Sequence, residues 1–173
     1  SLEKGVINEY DKSWALTGTK GERKPNIVNS LFIQPDELEK LNFERYERYK
    51  KIEAEEAMYE EYMMDDAEIC IVAFGVASRV SKNAIDIARA EGIKVGMIRP
   101  ITLWPFPKKA LCDAADKVKK FISVELSMGQ MIEDIELAIR CKREVLLCNR
   151  TGGMITTTQD VLDKIYEANG GIE

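Results

Sequence analysis

One stretch of the chain, residues 67–107, most constrains the fold. It opens with an almost unbroken apolar run at Ile69–Phe74, which is rich in β-branched residues and ends at Gly75. Such a run is typical of a strand that is buried on both faces. Apolar residues then recur at helical spacing over residues 80–88, and a second apolar run follows at 94–98. Strand, helix and strand in so few residues predict a right-handed βαβ unit with parallel strands.

The same alternation continues to the end of the chain. Further apolar runs at residues 121–126 and 144–148 are separated by amphipathic, helix-like stretches. The pattern predicts a doubly wound, mainly parallel α/β sheet in three layers over residues 67–173. In the common strand order the first and third predicted strands are neighbours, and ligands or partners meet the carboxyl ends of strands there. We therefore expect the mouth of the domain at residues 75–78 and 126–130.

The N-terminal part of the chain lacks this alternation. Residues 1–35 are polar and weakly patterned, and we predict that they form an interdomain linker or extension. Residues 36–66 are predicted to form one long amphipathic helix, because an uneven apolar stripe opposes a face rich in Glu, Lys and Arg. Such a helix would either lie on its own domain as an arm or connect to a partner subunit. Because the chain begins with Ser1 rather than Met, we expect it to be part of a longer protein.

Composition argues against several classes of function. The net charge of −5 and the scattered Lys and Arg pairs are unlike a nucleic-acid footprint. No apolar run of about 18 residues is present, so we expect no membrane span, and without a signal-peptide pattern we expect a cytoplasmic protein. The absence of His removes the commonest general base and metal ligand. The four cysteines include no CxxC pair, so we expect neither catalytic nor metal-binding residues in this chain.

Polar residues at the expected mouth are compatible with binding. Ser78 or Ser81 is expected to cap the helix after the first predicted strand, where backbone N–H groups could also hold a phosphate. The loop has one glycine and therefore matches neither the dinucleotide-binding nor the P-loop motif. The Gly-rich stretch at residues 150–153 could bind an anion or form a turn without a ligand. Glu125 has no second carboxylate nearby, so binding loop N–H groups is favoured over acid catalysis.

A proline-stiffened loop over residues 99–107 carries two large aromatic side chains, Trp104 and Phe106. We expect these side chains to be exposed, because a rigid loop presents its large apolar groups outward. Aromatic anchors of this kind dominate protein interfaces. Contact with a partner protein is therefore preferred over packing in the core for both residues.

Three motifs resemble a known family. They are IRPITLWPFP at residues 98–107, VELSMGQM at residues 124–131 and NRTGG at residues 149–153. They are similar to the second, transketolase C-terminal-like domain of the alpha chain of 2-oxoacid:ferredoxin oxidoreductases. The 2-oxoisovalerate (branched-chain) type is the most similar, followed by the 2-oxoglutarate type. WALTG at residues 14–18 and the Glu-rich stretch ending at Tyr62 resemble the segment that joins the two domains, so the resemblance covers nearly the whole chain.

The resemblance implies a function for the complete enzyme. Members of the family decarboxylate a 2-oxoacid on thiamine diphosphate, pass electrons through iron–sulfur clusters to ferredoxin and deliver the acyl group to coenzyme A. The cofactors are bound elsewhere, so this chain would be a non-catalytic assembly domain. Its expected partners are the beta chain, the ferredoxin-like chain and the N-terminal domain of its own alpha chain. Trp104 and Phe106 are the expected interface residues.

Seven residues are the candidate contacts for coenzyme A or for another subunit under this resemblance: Gly75, Ser78, Arg99, Ser127, Gly129, Gln130 and Arg150. Two positions depart from the usual family pattern. Ser127 occupies the Asn place of Glu-x-Asn-x-Gly-Gln, and Thr151 stands where Arg-Pro-Gly-Gly has proline. A second hypothesis from another class remains open, namely a stand-alone coenzyme A- or nucleotide-binding module of flavodoxin-like topology.

Overall fold

The computed structural model describes residues 9–170. The first eight residues of the predicted linker and the last three of the predicted α/β domain lie outside the described residues. The chain divides into two compact units, Ser1–Arg45 and Tyr46–Glu173. None of the helices in the described part is both long enough and apolar enough to cross a membrane.

The described part of the first unit is organised by hydrogen bonds rather than by a core. No residue between 9 and 45 is buried. The Arg23 guanidinium donates to the carbonyl oxygens of Ala15 and Gly18, each at 3.2 Å. The Asn26 amide donates to the Ser13 carbonyl at 2.7 Å. These bonds close a loop without burying apolar surface, and the assignment of residues 1–35 as a linker stays a prediction.

The first helix is shorter than predicted. Helix α1 spans Pro35–Glu55 and begins with a proline and two acidic residues, which suit the positive end of a helix dipole. The predicted helix over residues 36–66 is wrong beyond Glu55, because Tyr59–Tyr62 forms strand β1. This strand pairs antiparallel with the strand at Val95–Pro100. The backbone hydrogen bonds of that pairing outweigh the helical spacing of the local sequence.

The second unit contains a five-stranded sheet. The remaining elements are β2 (Ile69–Ala73), α2 (Gly75–Ala90), β3 (Val95–Pro100), α3 (Lys108–Ala115), β4 (Lys120–Glu125), α4 (Gln130–Ile139), β5 (Glu144–Asn149) and α5 (Thr158–Ala168). The strand order is β1-β3-β2-β4-β5, and every pair is parallel except β1 with β3. The predicted mainly parallel, doubly wound sheet is confirmed.

Helices cover both faces of the sheet. Alternate residues of β2 separate the two cores, since Ile71 packs on one side and Val72 on the other. The Ile71 side is covered by α2 and α5, whose buried residues include Ile85 and Ile165. The Val72 side is covered by α3 and α4. The three predicted layers are therefore present, and all five residues of β2 are buried.

Helix α4 ends in a strained turn that offers a test. Arg140 and Cys141 both have positive φ, 55° and 52°, where a Cβ atom is sterically disfavoured. Replacing Arg140 by glycine is expected to raise the free energy of unfolding by about 1 kcal/mol, as measured by urea unfolding. Arg140→Ala is the control, because it removes the same side chain but keeps the Cβ atom. Equal stability of the two variants would contradict this explanation.

Candidate functional site

The carboxyl ends of four parallel strands meet at one edge of the sheet. Ala73 of β2 lies beside Val124 of β4, and Glu125 lies beside Asn149 of β5. Because β2 and β4 are neighbours, the loops that follow them lie side by side, as the predicted strand order requires. We call the loops that follow β2, β3, β4 and β5 the carboxyl edge.

The buried carboxylate of Glu125 is the polar centre of this edge. Its Oε1 accepts from the Ser123 hydroxyl at 3.0 Å and from the Ile132 N–H at 3.2 Å. Its Oε2 accepts from the Ser127 hydroxyl and from the Met131 N–H, the latter at 3.0 Å. Two of these donors are backbone groups in the first turn of α4. Glu125 therefore caps this helix, which confirms its expected role of binding loop N–H groups.

The hydrogen bonds of Glu125 limit which ligands the start of α4 can bind. Backbone N–H groups at a helix N-terminus attract phosphate and other anions. Here the Glu125 carboxylate already accepts from the N–H groups of Met131 and Ile132. An incoming phosphate would have to displace a buried carboxylate from its hydrogen bonds, so this helix start is closed to anions.

The two serines after β2 do not occupy the predicted capping position at the start of α2. Helix α2 already begins at Gly75, whose positive φ of 59° lets the chain turn directly from the strand into the helix. Ser78 and Ser81 are consequently buried inside the helix. Their hydroxyls donate to the carbonyls of Gly75 and Ala77 at 2.8 and 2.9 Å. The prediction that either serine caps α2 is wrong.

The two candidate arginines are both engaged by carboxylates that the sequence analysis did not single out. Arg99 pairs with Glu60 of β1 at 3.0 Å, and Glu60 also pairs with Lys82 at 2.8 Å. The Lys82 ammonium, followed by the Arg99 guanidinium, holds the pKa of Glu60 below its usual value. Arg150 pairs with Asp160 of α5. Arg150 is therefore balanced by Asp160, whereas Arg99 shares a single carboxylate with Lys82, and its buried Nε has no hydrogen-bond partner among the described residues.

Arg150 belongs to the capping box of α5. Asp160 Oδ2 accepts from the Thr157 N–H at 2.8 Å, and Thr157 Oγ1 accepts from the Asp160 N–H at 3.1 Å. The Arg150 guanidinium, followed by these Thr157 donors, lowers the pKa of Asp160 to about 2. The spacing Thr-x-x-Asp before an apolar helix is the sequence signal that could have revealed this box.

The capping box makes a pH-dependent contribution to stability. Because the pKa of Asp160 in the folded chain lies below its ordinary value of 3.8, the contribution is present above about pH 4 and is lost as the pH falls towards 2. Asp160→Asn is therefore expected to cost about 1 kcal/mol at pH 7 and almost nothing near pH 2, measured by urea unfolding. Asp163→Asn in the same helix is the control. A loss for Asp160→Asn that stays constant with pH would contradict the prediction.

The two aromatic residues of the proline-stiffened loop differ in burial. Phe106 is 8% exposed and packs in the core beneath α3, so its predicted place at an interface is wrong. It is the residue before Pro107 and the start of α3, and that helix needs an apolar contact with the sheet. Trp104 is 57% exposed and meets the Tyr49 ring edge-on at 5.4 Å, beside an open groove of about 690 Å³. Its contact with a partner stays a prediction.

The remaining candidates lie in the loop after β4. Gly129 precedes α4 with a φ of 109°, Gln130 is the first residue of the helix and is exposed, and Ser127 is held by Glu125. The Asn149 amide donates to the Ser127 carbonyl at 2.7 Å and ties this loop to β5. Sequence analysis missed Asn149, for which no spacing gives a signal. Gly75 and Gln130 are both exposed at the carboxyl edge, each at the first position of a helix.

The exposed groups of the carboxyl edge are mainly apolar. Nine large apolar side chains in or next to its loops range from 37% to 71% exposed: Phe74, Val76, Ile101, Leu103, Trp104, Leu126, Met128, Met154 and Ile155. We call these nine residues the edge apolar set. Exposed apolar side chains gathered at one part of a protein are typical of contact with another protein.

Comparison with known proteins agrees with this fold and these motifs. Residues 67–161, more than half of the chain, match the family described as pyruvate:ferredoxin oxidoreductase core domain II. The chain is 51% identical over 168 residues to the ketoisovalerate oxidoreductase subunit VorB of Methanothermobacter thermautotrophicus. That alignment covers 97% of this chain and 47% of the relative. The chain thus spans about half the length of the curated relatives that it matches most fully.

Two solved structures share the fold. A 2-oxoglutarate:ferredoxin oxidoreductase from Magnetococcus marinus, with 2-oxoglutarate, coenzyme A and succinyl-CoA bound, matches with a TM-score of 0.65 at 20% identity, covering 80% of this chain and 24% of that chain. A split-gene transketolase in an inactive beta4 tetramer matches with a TM-score of 0.55 at 17% identity, covering 63% and 41%. The transketolase-like fold and the resemblance in the motifs are confirmed, and the chain belongs to the pyruvate:ferredoxin oxidoreductase core domain II family.

Proposed function

We propose that this chain is the assembly domain of the alpha subunit of a thiamine diphosphate-dependent 2-oxoacid:ferredoxin oxidoreductase that works in the cytoplasm. The proposed substrate class is branched 2-oxoacids such as 2-oxoisovalerate, because a ketoisovalerate oxidoreductase subunit is similar along 97% of the chain. The complete enzyme would oxidise the 2-oxoacid to an acyl-CoA and reduce ferredoxin. This chain contributes no catalytic residue to the reaction.

The chemistry of the carboxyl edge is the observation that carries this proposal. In an α/β domain that binds a small ligand, this edge offers free polar groups. Here Glu125 and Arg150 are engaged within the fold, and Arg99 is paired with Glu60, although its buried Nε makes no hydrogen bond to a described residue. The edge apolar set is exposed instead. Removing water from apolar side chains costs little free energy, so this surface is better suited to contact with another protein than to binding a charged cofactor.

The described residues do not fit the cofactors of the complete enzyme. Cluster ligation requires several ligands close together, yet residues 9–170 contain no group of three or more Cys, His, Asp or Glu side chains that could hold a metal ion, and Cys70 and Cys148 are buried on opposite faces of the sheet. The diphosphate of thiamine diphosphate would need anion-binding donors, and Glu125 occupies those at the start of α4. We therefore assign both groups to other parts of the enzyme.

The proposed partners are the beta chain, the ferredoxin-like chain and the N-terminal domain of the same alpha chain. Trp104, which is exposed in a rigid loop, is the proposed anchor for such a contact. Coenzyme A is a further proposed contact at Gly75, Gly129 and Gln130, which lie in the loops of the carboxyl edge. Neither nucleic acid nor a membrane is among the proposed partners.

A stand-alone coenzyme A- or nucleotide-binding module is the second candidate function. Its support lies at the start of α2, where no side chain caps the first helical turn. By contrast, Glu125 caps the start of α4, and Thr157 with Asp160 caps the start of α5. Titration calorimetry of the chain with FMN and ATP separates the two hypotheses, because tight binding of either nucleotide favours the module, whereas coenzyme A is a proposed contact under both.

The assembly proposal is tested with the full alpha subunit and its beta chain expressed together. Met128→Asp places a charge in the edge apolar set, and we expect at least a tenfold loss of co-purified beta chain. The readouts are the yield of the complex and the 2-oxoacid-dependent reduction of ferredoxin. Leu137→Asp is the matched control, since Leu137 on α4 is 72% exposed, against 71% for Met128, and lies outside the edge apolar set. Undiminished assembly of the Met128→Asp enzyme would contradict the proposal.

A further inference from the structure

The guanidinium of Arg99, at the carboxyl end of β3, is only partly satisfied by its own chain. Its one hydrogen bond in the described part runs from Nη1 to Glu60 Oε2 at 3.0 Å. Nε is buried and has no partner among residues 9–170. Nη2, which shares one edge of the planar group with Nε, donates to no described residue either, but it is not buried. A buried donor without an acceptor is unfavourable, so this edge of the guanidinium suits an acceptor from outside the chain.

The charge around Arg99 is also unbalanced. Glu60 lies directly opposite Arg99 in the pairing of β1 with β3, and its second carboxylate oxygen accepts from Lys82 of α2 at 2.8 Å. A third cation, Arg79, lies one turn before Lys82, is exposed and has no ion-pair partner in the described part of the chain. Asp86, one turn after Lys82, accepts from a tyrosine hydroxyl at 2.6 Å. Three cations therefore face two carboxylates on this side of α2, and the net charge is positive.

Exposed side chains of the edge apolar set flank Arg99. Ile101 and Leu103 follow Arg99 in the next loop, and Phe74 and Val76 follow β2, which lies beside β3 in the sheet. A partly buried arginine surrounded by apolar surface is typical of the residues that dominate the binding energy of protein interfaces. A protein that covers such a surface excludes water, which strengthens an ion pair. The apolar surroundings therefore favour a carboxylate carried by a protein over a small hydrated anion.

We propose that Arg99 binds the carboxylate of an aspartate or glutamate side chain on another subunit of the enzyme. Nε and Nη2 donate to the two carboxylate oxygens as a bidentate pair, while Nη1 keeps its bond to Glu60. The incoming carboxylate gives the buried Nε an acceptor and balances the excess positive charge beside Lys82. The inference rests on the proposed function, because it specifies the chemistry of the partner surface that meets the carboxyl edge.

The proposal is tested by measuring the dissociation constants of the full alpha subunit for its beta chain and for its ferredoxin-like chain. Arg99→Gln should weaken binding to one of these chains at least tenfold. Arg99→Lys should recover only part of this loss, because lysine keeps the charge but lacks the two-donor edge. Arg89→Gln is the matched control, since Arg89 is another half-buried arginine paired with a carboxylate, near the amino end of β3. It should leave both dissociation constants within about twofold of the wild-type values.

Glu60→Gln separates this role from a purely structural one. If Arg99 only holds β1 in place through Glu60, loss of either partner should weaken assembly. Under the proposal, Glu60→Gln frees positive charge on Arg99 and should tighten the complex at least threefold. A Glu60→Gln subunit that binds no more tightly than the wild type, or unchanged binding of Arg99→Gln, would overturn the proposal. Calorimetric binding of inorganic phosphate or coenzyme A that Arg99→Gln abolishes would also overturn it, because the anion would then belong to a small ligand. If Met128→Asp prevents assembly while Arg99→Gln does not, the proposed function stands and only this inference fails.

Discussion

Replacing Gly96 by alanine is expected to lower the free energy of unfolding by at least about 3 kcal/mol, the largest effect expected for a Cβ atom added at any glycine in residues 9–170. An added Cβ would lie 2.4 Å from the Met63 carbonyl oxygen and 2.9 Å from the carbonyl carbon of the same residue. Both are backbone atoms of the turn after β1, so they cannot rotate away. Relief would require β1 to move away from β3, to which it is hydrogen-bonded.

Urea unfolding measures this loss, and a second substitution identifies its source. The added Cβ would also lie 2.8 Å from the sulfur of Met64, which is the end of a flexible side chain. We therefore expect Met64→Ala to recover little of the stability when it is combined with Gly96→Ala. Full recovery in the double variant would show that a side chain, not the backbone turn, is the obstacle.

The second large effect is expected at Glu125. Glu125→Ala removes the acceptor of two hydroxyls and two backbone N–H groups, and the Met131 N–H is left buried without a partner. Buried donors that lose their acceptor cost about 1–3 kcal/mol each, so we expect a loss of about 3–4 kcal/mol in urea unfolding. Glu125→Gln should lose about half as much, because the amide keeps the shape and one acceptor oxygen.

An added anion provides an independent readout of the same site. Once the carboxylate is removed, the start of α4 is open, and sulfate should raise the melting temperature of Glu125→Ala by several degrees more than that of the wild type. Ser123→Ala is the control, since it removes one donor to Glu125 and leaves the helix cap in place. If sulfate stabilises the wild type equally, Glu125 does not occupy the anion position.

The alternation of strands and helices could be predicted because it depends on the pattern of apolar residues within each short segment. A strand covered by helices on both faces has to be apolar at every position, and Ile69–Ala73 shows this directly. The helices between strands carry one apolar stripe each, and their spacing is also local. Strand order followed from the common topology of such sheets, and the motif at residues 98–107 was specific enough to indicate the family.

What was missed depends on contacts between residues that lie far apart in the chain. Tyr59–Tyr62 has helical spacing but forms a strand, because the edge of β3 offers it backbone hydrogen-bond partners about 40 residues later in the chain. The spacing of apolar residues within a short segment gives no information about a partner at that distance. Arg99 and Arg150 look free until Glu60 and Asp160 are folded against them. Burial of Phe106 likewise requires α3 to be in place. Local patterning determines which elements form, whereas pairing and burial at long range determine which of their side chains remain available to other molecules.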